Sequence, residues 1–206
     1  SEILIDFQWY SGFAISQKQK SIKSLHEKAM IKGYHNLLEV STRSPELIGQ
    51  RLSAFSLEID TKTYGKISVE CAFQGSKVFE GNIQYNEIYS KTSLEAKKFH
   101  KLNPSGKLIG FKFEEEEWEL EPKSAFYDWL YIKALHPHKD YLKKLFKYDA
   151  FTDIEFNPSK SINCQARTCA IIISLLKRDL YDEVMSSKEN FIDIIYKKQF
   201  KQGTLI

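Results

Sequence analysis

The chain has 206 residues, of which 42% are hydrophobic and 28% are charged, a composition typical of a globular protein with one substantial core. The formal net charge is only +3, which excludes a strongly basic nucleic-acid-binding protein but remains compatible with a small single-stranded substrate. Three cysteines form neither a disulfide framework nor a metal-ligand spacing with the histidines, so we expect no metal. Without a signal-peptide pattern or a long apolar run, we expect a cytoplasmic protein that does not contact membranes.

The first half of the chain predicts a mixture of helices and short strands. A helix over residues 16–30 ends near Gly33 and carries lysines on its outer face. A short strand over residues 36–40 follows, and alternating apolar residues predict a hairpin of residues 54–59 with residues 66–68. A helix over residues 69–79 comes next, followed by a short helix near residues 93–98.

The second half is richer in helices. Residues 108–113 and 118–120 predict a hairpin with an acidic tip. Helices are predicted over residues 124–135, 139–147 and 163–178, with a last helix that a capping box starts near residue 186, whereas residues 148–161 look irregular. No linker or repeat interrupts the chain. We therefore expect one domain over residues 1–206, with an α+β fold that is predominantly helical and has small antiparallel β-hairpins.

An unusual polar stripe runs along the predicted helix over residues 69–79. Glu70, Phe73, Gln74 and Lys77 fall within one arc of about 100°, and the rest of the circumference is apolar or small. An acid, an amide and an amine are costly to bury without partners. The stripe therefore indicates either a wall that faces a polar ligand or an exposed helix end.

Other candidate positions come from three more segments. Asp153 and Glu155 point to the same side of an extended chain, and Asn163 at a helix start suits a phosphate or carboxylate, although these residues also suit simple turns and caps. Trp129 is either a stacking surface or part of the core. Four residues around the start of the first helix offer aromatic and phosphate contacts or are ordinary surface, with Phe13 as an alternative hydrophobic staple: Trp9, Phe13, Gln17 and Lys18.

Residues 70–79, ECAFQGSKVF, resemble the glutamate–aromatic–glutamine–lysine–phenylalanine signature of the NADAR family, also called YbiA-like. The wider series of segments is similar to one branch of that family, the NADAR antitoxins partnered with DarT-type toxins that ADP-ribosylate guanine in DNA. That series covers residues 7–20, 52–55, 126–130, 148–157 and 161–166. The resemblance implies a NADAR-type fold and cleavage of an N-glycosidic bond.

From this resemblance we expect a hydrolase that removes ADP-ribose from guanine in single-stranded DNA without a cofactor and counteracts a DarT-type toxin. Cleavage at an anomeric carbon builds positive charge, which the carboxylate of Glu70 or Asp153 would stabilise. Lys77 would donate a proton to the leaving base or attack the opened ribose as an amine. The expected substrate-binding residues are Trp9, Phe13, Gln17, Lys18, Phe73, Gln74, Trp129, Glu155 and Asn163.

Three alternatives remain at this point. The protein is a module that binds ADP-ribose or a nucleotide without turnover, or an antitoxin that neutralises its toxin by stoichiometric contact. The third alternative is an N-glycosidase that acts on small nucleotides or riboflavin-pathway intermediates. Residues 154–157, IEFN, stand where YbiA-like members carry a Trp-Gly pair, which disfavours the riboflavin assignment.

Overall fold

A computed structural model describes residues 2–102, 105–157, 159 and 161–197. The α-helices are α1 (Ile15–Ile31), α2 (Leu47–Arg51), α3 (Val69–Gly75), α4 (Ser93–Lys97), α5 (Ala125–Leu135), α6 (Lys139–Leu142), α7 (Gln165–Lys177), α8 (Tyr181–Met185) and α9 (Lys188–Ile192). The strands are β1 (Leu37–Glu39), β2 (Glu58–Thr61), β3 (Gly65–Ser68), β4 (Lys77–Phe79), β5 (Leu108–Phe113), β6 (Glu116–Trp118) and β7 (Ala150–Thr152). Single turns of 3₁₀- or π-helix cover Asn86–Ser90, His100–Leu102, His136–His138, Lys143–Lys147 and Asp193–Lys197. The fold is therefore α+β, as expected, and its described residues lie more often in helices than in strands.

The strands form three small sheets. β2 and β3 make an antiparallel hairpin, and β4, β5 and β6 make an antiparallel sheet in that order. The third sheet pairs β1 with β7 in parallel, with Leu37 opposite Ala150 and Glu39 opposite Thr152. The prediction of hairpins is confirmed for two sheets, but it was wrong to leave residues 148–161 without a strand.

Helix α5 forms the centre of the core. It contacts α3, α7 and β2, and every residue from Ala125 to Leu135 except Lys133 is buried. Asp128 is the charged exception inside this helix, and it accepts hydrogen bonds from the guanidinium of Arg167, the hydroxyl of Thr168 (2.5 Å) and the hydroxyl of Tyr196 (2.5 Å). Three donors satisfy the buried carboxylate and connect α5 to α7 and to the last helical turn.

The helix predicted over residues 69–79 is shorter than expected. Helix α3 ends at Gly75, after which the hydroxyl of Ser76 donates to the carbonyl of Ala72 at 2.6 Å. Lys77 then begins β4 and lies opposite Phe111 of β5. Only glycine fits at position 75, because the ring of Tyr89 packs so closely there that a Cβ atom would lie 2.6 Å from it. Lys77 therefore lies on a strand rather than on the helix that carries Glu70.

Two other element boundaries can be compared with the sequence-based prediction, and one of them agrees. Helix α1 matches the predicted range and is followed by Gly33 at φ +91°. The strand predicted from residue 54 begins only at Glu58, because the amides of Ser56 and Leu57 both donate to the carbonyl of Ser53 in a turn. In the described part of the chain, no helix combines the length and apolar character needed to cross a membrane.

Candidate functional site

A cavity of about 850 Å³ opens between α3, the β4–β5 sheet, the start of α5 and the segments on both sides of residue 160. We call it the Glu70 cavity. Its lining comprises Ala54, Phe55, Glu70, Phe73, Gln74, Lys77, Lys97, Leu108, Phe111, Glu119, Leu120, Glu121, Pro122, Lys123, Ser124, Ala125, Phe126, Tyr127, Asp153, Glu155, Phe156, Asn157, Ser161, Ile162, Asn163 and Gln165. A cavity of this size can enclose most of a dinucleotide-sized ligand.

One wall of the cavity carries the acid–amide pair of α3. Glu70 is 8% exposed, and its Oε1 accepts a hydrogen bond from Nε2 of Gln74, one turn later, at 2.9 Å. Burial raises the pKa of Glu70, while the hydrogen bond from Gln74 and the charges of Lys97 and Lys77 act against that shift. The hydrogen bond from Gln74 therefore orients the carboxyl of Glu70, but the nearby positive charges only partly offset the effect of burial on its pKa.

Lys77 adds an amine to the same wall. Its Nζ lies 5.3 Å from the ring centroid of Phe73, and no carboxylate of the described residues lies within salt-bridge distance of it. Burial lowers the pKa of Lys77, and the charge of Glu70 opposes this effect only in part. Lys77 therefore loses its proton more readily than a lysine on the protein surface does. The predicted stripe of Glu70, Phe73, Gln74 and Lys77 does line one cavity, although it spans a helix and a strand.

Asp153 forms a second acidic position in the lining, directly after β7. Its Oδ2 accepts from both the backbone N–H and the Nε2 of Gln165 at 3.2 Å, and its Oδ1 accepts from the amide of Glu155 at 3.1 Å. Burial, followed by the charge of Glu39, raises the pKa of Asp153 to about 7. The carboxyl is therefore oriented by the start of α7 and exchanges protons near neutral pH.

The start of α7 has a different role from the one expected. The predicted anion site at this helix start receives the carboxyl of Asp153 through the amide of Gln165. Asn163 lies two residues before α7, where Cys164 rather than Asn163 is the N-cap, and it contributes to the cavity lining. Glu155 also lines the cavity and lies 3.9 Å from Nε of Arg43.

Trp129 requires a correction. Its side chain is 6% exposed and packs against Trp118 at 5.1 Å, Phe126 at 6.4 Å and Phe113 at 6.5 Å between ring centroids. It borders a different cavity, where Nζ of Lys133 lies 4.3 Å from its ring centroid, and it does not line the Glu70 cavity. The core interpretation of this residue replaces its proposed stacking on the substrate of the Glu70 site.

The four N-terminal candidates also lie outside the lining of the Glu70 cavity. The Nζ of Lys18 lies 4.2 Å from the ring centroid of Trp9, so these two residues form a cation–π contact with each other on the protein surface. Phe13 is 99% exposed, so it is neither a wall of the cavity nor a hydrophobic staple. Gln17 follows Phe13 in the first turn of α1, where its amide N–H donates to the carbonyl of Ala14.

Two charged or polar residues of the cavity lining, Tyr127 and Lys97, are not among the site residues that the sequence predicts. Tyr127 lines the cavity from α5, but it stands in the run FYDWLY, where the pattern indicates only a core helix. Lys97 lines the cavity from α4, and its charge lowers the pKa of Glu70. Among the residues that the structure describes, no cluster of three or more histidines, cysteines and acids is arranged to hold a metal ion.

Comparison with known proteins extends the resemblance in the sequence to nearly the whole chain. The family model described as DarT1-associated NADAR antitoxin matches residues 1–204. None of the curated proteins matches the chain. Because the family model matches nearly the whole chain, including every element that builds the Glu70 cavity, the chain belongs to the family of DarT1-associated NADAR antitoxins.

Proposed function

We propose that this antitoxin hydrolyses the N-glycosidic bond between ADP-ribose and guanine in single-stranded DNA and so reverses the modification made by a DarT-type toxin. The family assignment supports the antitoxin role. The observation that carries the enzymatic part is that Glu70, Lys77 and Asp153 all line one cavity of about 850 Å³. Carboxyls with raised pKa values and an amine with a lowered pKa are typical of a catalytic cleft.

The reaction needs a base for water and an acid for the leaving guanine. The water oxygen forms a bond to C1 of the ribose while the C1–N bond breaks, one water proton passes to a carboxylate, and the guanine nitrogen receives a proton. Asp153, with a pKa of about 7, is partly protonated at neutral pH and serves as the acid. Glu70 stabilises the positive charge that develops on the sugar and accepts the proton from water.

The remaining lining supports a nucleotide ligand. Phe73 presents a partly exposed ring beside Lys77, which suits stacking on a base, and the amide of Gln74 is available to a sugar hydroxyl. Lys97 and Lys123 bring further positive charge to the lining, and we assign them to the diphosphate of ADP-ribose. Asn163 and Glu155 complete the polar contacts on the side of Asp153.

The test is the release of ADP-ribose from a single-stranded oligonucleotide that carries one ADP-ribosylated guanine, measured by chromatography and by the mass of the restored DNA. Glu70→Gln should reduce the rate at least ~100-fold, because it removes the charge while Gln74 can still donate to the side-chain oxygen. Glu119→Gln, an exposed position in the same lining, is the matched control and should keep the activity. Release by Glu70→Gln at the wild-type rate would contradict the proposal.

A stoichiometric antitoxin is the second candidate, and one observation favours it. Leu4 and Phe13 are 84% and 99% exposed and Ile15 is 56% exposed, outside the cavity lining, which makes them available to a protein partner. In cells that produce the toxin, the two functions give opposite results. Under hydrolysis, the Glu70→Gln/Asp153→Asn double variant loses protection and Phe13→Ser keeps it. Under stoichiometric neutralisation, the double variant protects and Phe13→Ser does not.

A further inference from the structure

Tyr127 has a hydroxyl that its own protein leaves without a partner. The side chain is 5% exposed, projects from α5 into the lining of the Glu70 cavity and packs edge-on against Phe73 with 5.4 Å between ring centroids. Within the described residues, the hydroxyl forms no hydrogen bond. The ring is buried, but the hydroxyl is not among the fully enclosed polar atoms of the described residues that lack a partner, so it keeps access to the cavity. An acceptor that binds in the cavity can therefore receive its hydrogen bond.

Other buried tyrosines of the core are satisfied, which makes Tyr127 unusual. Tyr131, one helical turn later on α5, donates to the carbonyl of Leu52, and its hydroxyl lies 3.3 Å from Sγ of Cys169. Tyr181 donates to the carbonyl of Ile132 at 3.2 Å, and Tyr196 donates to Asp128 at 2.5 Å. Burial in this core therefore does not by itself leave a phenol unpaired.

The charges of both acidic positions of the cavity act on the Tyr127 hydroxyl. Its pKa lies well above the ordinary value, first because of burial and then because of the charges of Glu70 and Asp153, with smaller effects from Asp128 and Cys164. The phenol thus stays protonated throughout the physiological range and keeps its O–H available as a donor. Both carboxyls are near enough to influence it, but neither accepts its proton in a hydrogen bond.

We propose that the Tyr127 hydroxyl donates a hydrogen bond to a hydroxyl oxygen of the substrate ribose and holds the sugar between Glu70 and Asp153. This inference rests on the proposed function, because that function places the reacting ribose between these two carboxyls. A neutral donor is suited to this place, since a cation would lower the pKa of Asp153 and impair its role as the acid. The contact orients C1 toward the attacking water without taking part in proton transfer.

The test compares two matched deletions of a hydroxyl from neighbouring turns of one helix. Tyr127→Phe should lower kcat/KM for ADP-ribosylated single-stranded DNA about 10- to 100-fold and weaken ADP-ribose binding in calorimetry, while the thermal midpoint of the free protein stays equal or rises. Tyr131→Phe should lower the thermal midpoint, because it leaves the carbonyl of Leu52 without its donor, and should keep kcat/KM per folded molecule.

The outcomes separate this inference from the function on which it rests. If the wild-type protein releases ADP-ribose and Tyr127→Phe matches it in both kcat/KM and ADP-ribose affinity, the role of Tyr127 is overturned and the proposed function stands. If the wild-type protein binds ADP-ribose without turnover, weaker binding by Tyr127→Phe supports the contact although hydrolysis fails. If the wild-type protein neither hydrolyses the DNA adduct nor binds ADP-ribose, both proposals are overturned.

Discussion

The buried carboxyl of Glu39 on β1 is bound by the two residues that flank Asp153. Thr152 donates its hydroxyl to Oε2 of Glu39 at 2.6 Å, and Ile154 donates its amide to Oε1 at 2.8 Å. His26 completes the arrangement, because its Nε2 lies 2.9 Å from the Thr152 hydroxyl, whose own proton is already given to Glu39. The charge of Glu39 adds to burial in raising the pKa of Asp153. The parallel pairing of β1 with β7 thus adds to burial in keeping the proposed acid protonated.

This pairing predicts the pH dependence of hydrolysis. Asp153 is competent as an acid only when protonated, so kcat/KM should decline as pH rises through about 7. Glu39→Gln removes the neighbouring negative charge and should lower the pKa of Asp153, which moves the declining limb about one pH unit toward acid. The measurement is kcat/KM for the DNA adduct between about pH 5 and pH 9.

The Glu39→Gln variant is a fair test because its hydrogen bonds can be kept. The glutamine oxygen can accept from Ile154, and its amide can donate to Thr152, whose proton then turns to His26. Asp140→Asn serves as a control, since Asp140 is an exposed acid on α6 outside the cavity lining. A declining limb that stays in place in Glu39→Gln would remove Glu39 from the control of Asp153.

The same two carboxyls predict how the free energy of unfolding varies with pH. The folded-state pKa of each is raised above its ordinary value, mainly by burial, so the folded protein holds protons that the unfolded chain releases. Their contribution to stability is fully present below the ordinary carboxyl pKa and is lost as pH rises through about 7. We expect urea unfolding to show a smaller loss of stability from pH 5 to pH 8 in Glu39→Gln than in wild type. Equal losses of stability in the two proteins would show that Glu39 does not contribute to the pH dependence of unfolding.

Lys77 should not tolerate a change that preserves only its charge if it takes part in the chemistry beside Asp153 and Glu70. An arginine at this position cannot lose its proton at physiological pH, so it cannot replace a lysine that acts as a second proton donor beside Asp153 or as a nucleophile. We expect Lys77→Arg to lower the single-turnover rate at least ~100-fold. Lys97→Arg, with its charge beside the ring of Phe55 in the same lining, should retain most of the rate. Comparable rates for the two variants would assign Lys77 a purely electrostatic role.

Replacing Trp129 should separate stability from activity. Its indole packs among Trp118, Phe126 and Phe113, so Trp129→Leu should cost roughly 2–4 kcal/mol in the free energy of unfolding. The rate per folded molecule should stay near wild type, because the side chain does not line the Glu70 cavity. Trp9→Leu at an exposed position should change stability by less than about 0.5 kcal/mol. Urea unfolding and the hydrolysis assay together check both expectations, and a lost rate in fully folded Trp129→Leu would restore its substrate role.

Local spacing in the sequence was enough to find the wall formed by Glu70, Phe73, Gln74 and Lys77. Four positions on about two turns were predicted to share a face, and their side chains do line one cavity. The change from helix to strand after Gly75 was missed, because it depends on the ring of Tyr89, whose approach to Gly75 no local pattern reveals. The four side chains line one cavity all the same, because a strand that follows directly on the helix keeps Lys77 on the same wall.

Asp153 was identified as a candidate, but its surroundings were beyond the reach of sequence patterns. Its raised pKa depends first on burial and then on the charge of Glu39, and the two strands that bring these residues together have three residues each. Such short parallel strands carry no detectable period. The aromatic run of α5 was equally ambiguous, since neighbouring residues of one buried helix have different fates: Tyr127 faces the cavity and Trp129 faces the core.

The hydrogen bond from Thr152 to Glu39 joins residues 113 positions apart, which has a consequence for the timing of synthesis. A growing chain that has passed Lys77 already contains one half of the proposed chemistry, but β7 and the start of α7 that orient Asp153 emerge far later. Every residue from β1 to the start of α7 must therefore be synthesised before the proposed site can form. A chain that stops before residue 150 lacks Asp153 and the residues that orient it, so we expect it to show none of the proposed hydrolysis.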